Sequence, residues 1–185
     1  SAGYVFNNSS SLKDVSQLHP GETIEIIENK IVNRFQRNQK VFDDNNKYEI
    51  KDVPKFVRNK IVEAVERQLV SDVPVGLLLS SGIDSMSILA SIKLLNKLDQ
   101  TNTYTAYYPS KEFSENTLVE KLAKKWNFKN YSVKILPEDV YNNLNGIFKT
   151  FDNLDFIPVS AIKYILSNFS DNKNKVLLSG AGGDE

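Results

Sequence analysis

The sequence predicts an α/β fold, a mostly parallel sheet with flanking helices behind a short β-rich N-terminal segment. Three observations predict it. From about residue 51, short apolar runs alternate with stretches whose apolar residues recur every three or four positions; strands separated by helices are joined by crossovers, which makes neighbouring strands parallel. Two of the apolar runs end in loops of serine and glycine, at the strand ends where open α/β sheets hold their ligands. Before residue 50 the texture differs, being polar and Asn-rich with two short β-type runs.

The elements follow in order. SAGYVFNNSSS is small and polar, and Pro20-Gly21 signals a turn. Strands are expected over 23–27 and 31–35 around a turn at Asn29-Lys30. FDDNNK, residues 42–47, reads as a polar linker, dividing the chain into 1–50 and 51–185. In VPKFVRNKIVEAVERQL, Val53, Phe56, Val57, Ile61, Val65 and Leu69 share one helical face, and Pro54 sits in a first turn that tolerates it. Ser71-Asp72-Val73-Pro74 stops that helix. A strand over 75–79 follows, then a helix over 85–97 with Ile88, Leu89, Ile92 and Leu95 apolar, and a strand over 103–108. The next helix, 115–126, places Leu118, Val119, Leu122 and Trp126 on one face. A strand over 131–135, helices over 138–148 and near 160–168, and a strand over 176–179 complete the pattern.

Composition excludes several classes. The 185 residues are enough for one domain with a real core. Basic and acidic residues balance at 23 each, so there is no charge footprint for nucleic acid or an anionic membrane. No apolar run nears the roughly 20 residues of a membrane helix, and no secretory signal is visible. The absence of cysteine removes disulfides, thiolate metal sites and a cysteine nucleophile from this chain, and fits a cytoplasmic location. Ser1 at one end and GGDE at the other lead to the expectation that the chain is a segment of a longer protein.

The chemistry concentrates at two strand ends. In LLLSSGIDSMSI, a buried-type strand turns through Ser80, Ser81, Gly82, Ile83 and Asp84 into a helix. Small residues let backbone N–H groups approach a ligand, and a helix start adds unpaired donors and a positive dipole end, so the junction suits phosphate. Asp84 would repel a bare phosphate, and makes sense with a divalent cation between the two. The spacing is neither a GxxxxGK[ST] loop nor a GxGxxG fingerprint. A Ser/Asp-capped helix that needs no ligand is the plain alternative. VLLSGAGGDE repeats the theme at the second strand, with Ser179, Gly180 and then Asp184-Glu185. If both loops sit at one end of the sheet, Asp84 and Asp184 could share a metal.

Together these stretches resemble a known family. SDVPVGLLLSSGIDS is similar to the pyrophosphate loop of glutamine-hydrolysing asparagine synthetases, SDVPVGxxLSGGxDS, and VLLSGAGGDE to their SGEGxDE segment. The resemblance runs from about Val53 to the last residue. It implies an adenine-nucleotide α-hydrolase-like fold and a ligase that adenylates a carboxylate with ATP, releases pyrophosphate, and lets ammonia or another amine attack. ATP and Mg²⁺ are the implied cofactors, and a small carboxylate and an amine the implied substrates. Carried over by position, Ser80, Ser81, Gly82, Asp84 and Ser85 form the ATP loop, Leu78 and Tyr107 lie against adenosine, Ser179 and Gly180 touch the nucleotide from the other side, and Asp84 and Asp184 bind Mg²⁺.

Two positions depart from the pattern. Ser81 stands where the family has glycine, and Ala181 where asparagine synthetases carry a glutamate with a role in the amine step. An alanine moves no proton, so asparagine as product is in doubt and other acceptors come into view. YVFNNSSSLKDVSQLHPGETIEI resembles the last strands of the family's glutaminase domain, whose catalytic cysteine would lie upstream. A glutaminase domain in the intact chain is therefore an expected partner, and an open apolar sheet edge makes a homodimer a further one. Other pyrophosphate-loop ligases, a nucleotide-binding module without catalysis, and a ligand-free α/β domain remain the alternatives.

Other residues have plain readings. His19 beside Pro-Gly reads as a turn residue, Trp126 as core, and Tyr104, Tyr107 and Tyr108 as sheet packing, with stacking on a base the minority reading. Glu115, Glu120, Lys124 and Lys125 read as a solvated helix face, the lysines with a lesser claim on phosphate.

Overall fold

The structure, a computed structural model, describes residues 10, 13–36, 50–109, 115–151, 157–170 and 174–183. The expected linker at 42–47 and Asp184 lie outside the described residues.

The N-terminal region is a hairpin of β1 (Glu22–Ile27) and β2 (Lys30–Gln36). Its turn is Glu28-Asn29, one residue earlier than the sequence suggests, because Ile27 pairs with Lys30. Both turn residues hold positive φ, 48° and 61°, as a two-residue turn matched to the strand twist requires. Gly21, at φ 76°, makes the expected turn before β1. His19 is part of that turn: its backbone N–H donates to the Glu22 carboxylate at 2.9 Å. That bond, with Arg34 beside it, holds the Glu22 carboxyl below its usual range.

The α/β region runs α1 (Val53–Gln68), β3 (Val75–Leu78), α2 (Ile83–Leu94), β4 (Asn102–Tyr107), α3 (Glu115–Trp126), β5 (Asn130–Lys134), α4 (Pro137–Phe151), α5 (Ile157–Ser170) and β6 (Val176–Leu178). The sheet order is β5-β4-β3-β6, with every pair parallel. Alternation along β3 divides the core between the two faces. Leu77, fully buried, joins Val65, Leu89, Ile92, Val119 and Phe128 on one face, with Trp126 packed against them. Leu78 faces the other way, onto Tyr104, Val133 and Leu166, with Ile162 and Ala106 alongside. Helices α4 and α5 pack together, and α5 rests on β4.

The differences from the sequence pattern have local causes. Val53, Phe56 and Val57 are exposed, since only the later turns of α1, from Ile61 onward, reach the core. Leu118 is 54% exposed while its neighbour Val119 is fully buried, because α3 presents Val119, Leu122 and Trp126 inward. Helix α2 starts two residues earlier than expected, as extended Gly82 (φ −70°, ψ 152°) takes the N-cap position. Asp84 and Ser85 therefore lie inside the first helical turn. Among the described residues, no helix is long and apolar enough to cross a membrane.

Candidate functional site

The strand register brings the two serine-glycine loops together. β3 pairs Leu77 with Leu178 of β6, so the two strands leave the sheet side by side at their carboxyl ends. The β3–α2 turn is closed from within. The Ser80 and Ser85 hydroxyls are 2.9 Å apart. Ser85 Oγ accepts from the Ser80 N–H at 3.2 Å and lies 3.1 Å from the Ser80 carbonyl, which it can donate to. The Gly82 N–H in turn donates to Ser80 Oγ at 3.2 Å. These two serines, expected to donate to phosphate, thus first set the shape of the loop.

The helix start itself has no side-chain cap at Gly82, which leaves the first-turn N–H groups of α2 without helical acceptors. The β6 loop lies directly over this end. A Cβ on Gly180 would stand 2.7 Å from the Ser85 backbone nitrogen, and one on Gly183 would stand 2.5 Å from both Cγ and Oδ1 of Asp84. Gly182, between them, holds φ 87°. The glycines are there because backbone must pass where a side chain would collide.

A cavity of about 410 Å³ opens beside this junction. Leu78, Ser80, Gly82, Asp84 and Ser85 form one wall, and Ser179, Gly180 and Ala181 another. β4 contributes Tyr104, Ala106, Tyr107 and Tyr108, and α5 contributes Ile162, Lys163 and Leu166. The wall is apolar toward β4 and α5 and polar toward the α2 N-terminus, the division a nucleotide's base and phosphates call for. Of the residues expected from sequence, the structure gathers Leu78, Ser80, Gly82, Asp84, Ser85, Tyr107, Ser179 and Gly180 around this space. Ser81 is half-buried in the loop and not on the wall.

The Asp84 carboxylate has no hydrogen-bond or ion-pair partner among the described residues. A lone carboxylate beside an anion cradle fits Mg²⁺, which takes one or two carboxylates together with phosphate oxygens. Among the described residues there is no cluster of three or more metal-ligating acids or histidines.

Sequence reasoning missed Lys163. It lies on the face of α5 that carries Ile162 and Leu166, and no pattern separates an inward lysine from a solvated one. Lys124 and Lys125, weighed for phosphate, are not on this wall; Lys124 borders a separate hollow with Glu120 and Asn130. Tyr104 is both sheet packing and cavity wall: fully buried, it stacks on Tyr131 with centroids 5.4 Å apart. Trp126 is core as expected, with the Lys93 ammonium 3.9 Å from its ring centroid.

A parallel sheet with two glycine-rich loops converging on an uncapped helix start defines an α/β domain with a pocket at the carboxyl ends of its strands. The chain belongs to the asparagine synthase family, which matches residues 57–185. It is 33% identical over 131 residues to glutamine-hydrolysing asparagine synthetase 1 of Bacillus subtilis (strain 168), covering 71% of this chain and 20% of that protein. A second relative, from Acanthamoeba polyphaga mimivirus and named "Probable asparagine synthetase (glutamine-hydrolyzing)", is 26% identical over 156 residues, 82% of this chain and 28% of its own length. The chain thus spans well under a third of either relative. Among solved structures it is similar to an NH3-dependent NAD synthetase from Campylobacter jejuni (18% identity, TM-score 0.44, 66% of this chain and 54% of that one). It is also similar to a U34-tRNA thiolase from Methanococcus maripaludis (21% identity, TM-score 0.45, 73% and 48%). Both structural similarities are distant.

Proposed function

We propose that this chain is the nucleotide-binding part of an ATP-dependent amide-forming ligase acting in the cytoplasm. In this reading a carboxylate oxygen of the acceptor attacks the α-phosphorus of ATP, and the bond to the β-phosphate breaks to release pyrophosphate. Ammonia or another amine then attacks the acyl carbon, and AMP leaves with the amide formed. The observation that carries the reading is the seating of Gly180 and Gly183 against Ser85 and Asp84 at the uncapped start of α2, inside one cavity.

The residues divide the work. The first-turn N–H groups of α2 hold the departing pyrophosphate, with donors fixed in place before the reaction. The Ser80–Ser85 pair keeps the loop in that shape. Leu78, Ala106, Ile162 and Leu166 offer the base a dry surface. Asp84, together with Asp184 by resemblance, would hold Mg²⁺, which when bound adds positive charge at the leaving pyrophosphate. Ala181 moves no proton, which favours an acceptor other than aspartate or an amine that arrives already deprotonated. The β1–β2 region is read as the end of an upstream glutaminase domain, and two copies pairing through the sheet edge as a homodimer.

Calorimetric titration of Mg-ATP into the full-length protein and its Asp84→Ala variant tests this. Saturable binding that is lost with Asp84 supports the reading, and no binding by the folded wild type refutes it. A second reading, a nucleotide-binding module without catalysis, draws on Ala181 alone. Pyrophosphate release in the presence of candidate carboxylates separates the two.

A further inference from the structure

We propose that Lys163 binds a phosphate of the nucleotide, bringing from α5 the positive charge that the β3–α2 loop lacks. The inference rests on the nucleotide reading above and extends it to a residue outside both loops. The loop from Leu79 to Ser85 contains no lysine or arginine, and its one charged side chain is the carboxylate of Asp84. Among the described residues that line the cavity, Lys163 is the only basic one. Its ammonium has no ion-pair or hydrogen-bond partner among the described residues.

Its position is fixed by its neighbours. Ile162 and Leu166 pack onto Tyr104, Ala106 and Leu78, which anchors that face of α5 to the sheet. Lys163 is half-buried between them in sequence and on the same cavity. A lysine so placed can lay its methylene stem along the apolar wall and leave its ammonium free to reach the polar end. There the donors are neutral N–H groups and serine hydroxyls, and a polyphosphate needs more than these to offset its charge. A charge-assisted bond from an ammonium to a phosphate oxygen is among the stronger single contacts a site can make.

The test is calorimetric titration of the full-length protein with Mg-ATP and with adenosine, for wild type, Lys163→Gln, Lys163→Met and Lys163→Arg. Circular dichroism melts confirm that each is folded, and the methionine variant keeps the apolar stem should glutamine disturb the helix. The expected result is a Mg-ATP affinity about tenfold weaker in the glutamine and methionine variants, with adenosine affinity unchanged and most of the Mg-ATP affinity restored by arginine. Equal Mg-ATP affinity in all four proteins overturns the proposal. So does equal weakening toward Mg-ATP and adenosine, which would put Lys163 against the base or ribose. Failure of folded wild type to bind either ligand refutes the nucleotide reading itself, and this inference falls with it.

Discussion

The hydroxyls of Ser80 and Ser85 meet at 2.9 Å across the turn that joins β3 to α2. Ser85 is 5% exposed, and its oxygen also accepts from the Ser80 N–H. The contact ties the turn that follows β3 to the first turn of the helix. With the Gly82 N–H also donating to Ser80 Oγ, it fixes the path of the loop into the helix start.

Ser85→Ala removes the acceptor of the Ser80 N–H in a part-buried place and leaves that donor unpaired. The expected destabilisation is about 1–3 kcal/mol, measured by chemical denaturation. Mg-ATP affinity should fall by at least about tenfold as the donors lose their common orientation. Ser85→Thr keeps the hydroxyl and should recover part of both.

Gly180→Ala places a methyl 2.7 Å from the Ser85 backbone nitrogen and 2.9 Å from Asp84 Cβ. Neither neighbour is the end of a flexible side chain, so the β6 loop must move away from α2. Overpacking of this kind costs about 1–3 kcal/mol. The greater effect is expected on ligand binding, since the two loops separate where the cavity needs both. The thermal midpoint should drop modestly while Mg-ATP titration heats disappear.

Gly76→Ala tests how the sheet supports the cavity wall. The added methyl would lie 2.8 Å from Leu177 Cδ2, 2.9 Å from Tyr104 Cε2 and 3.1 Å from Asn174 Cγ. Tyr104 is held by its stack on Tyr131 and by Phe169 at 6.2 Å, so its ring has little room to give. A loss of about 1–3 kcal/mol is expected, measured by denaturant titration. Adenosine affinity should weaken as well, because Tyr104 forms part of the cavity floor.

How much of this was legible in the sequence depends on what each residue's position had to satisfy. β3 and its loop were readable because Leu77 and Leu78 are apolar on both faces, as a central parallel strand must be, and Ser-Ser-Gly breaks the run. Their pairing with the β6 loop was legible only as two similar strings. The contact of Gly183 with Asp84 comes from strand order, which sequence spacing does not encode. The turn at Glu28-Asn29 was misplaced by one residue because Asn29-Lys30 carries the more usual turn chemistry, while the register of Ile27 with Lys30 decided the matter. Leu118 and Val53 looked inward on periodicity alone, yet face outward because a helical face is wider than the surface it packs on. Lys163 gave no signal at all.

Tyr104 offers a pH-dependent test of the core beneath the cavity. Its hydroxyl donates to Asn174 Oδ1 at 2.6 Å, and Asn102 Nδ2 donates to the same oxygen at 2.9 Å. Burial, and then the neighbouring Tyr131, push the phenol above its ordinary value of 10.0. The unfolded chain therefore gives up this proton before the folded one does. Between the two values the folded state binds more protons, so this contribution to stability is full below the ordinary value and is lost as pH rises through the folded one. Tyr104→Phe keeps the ring and its stack, leaves Asn174 Oδ1 bonded to Asn102, and removes the ionisable group. Near neutral pH it should cost about 1 kcal/mol. Above about pH 10 the gap between wild type and variant should narrow, because only the wild type loses stability through this phenol. Denaturant titrations of both proteins at neutral and alkaline pH measure that gap, and a gap that stays constant would mean that the Tyr104 hydroxyl is not held buried against Asn174.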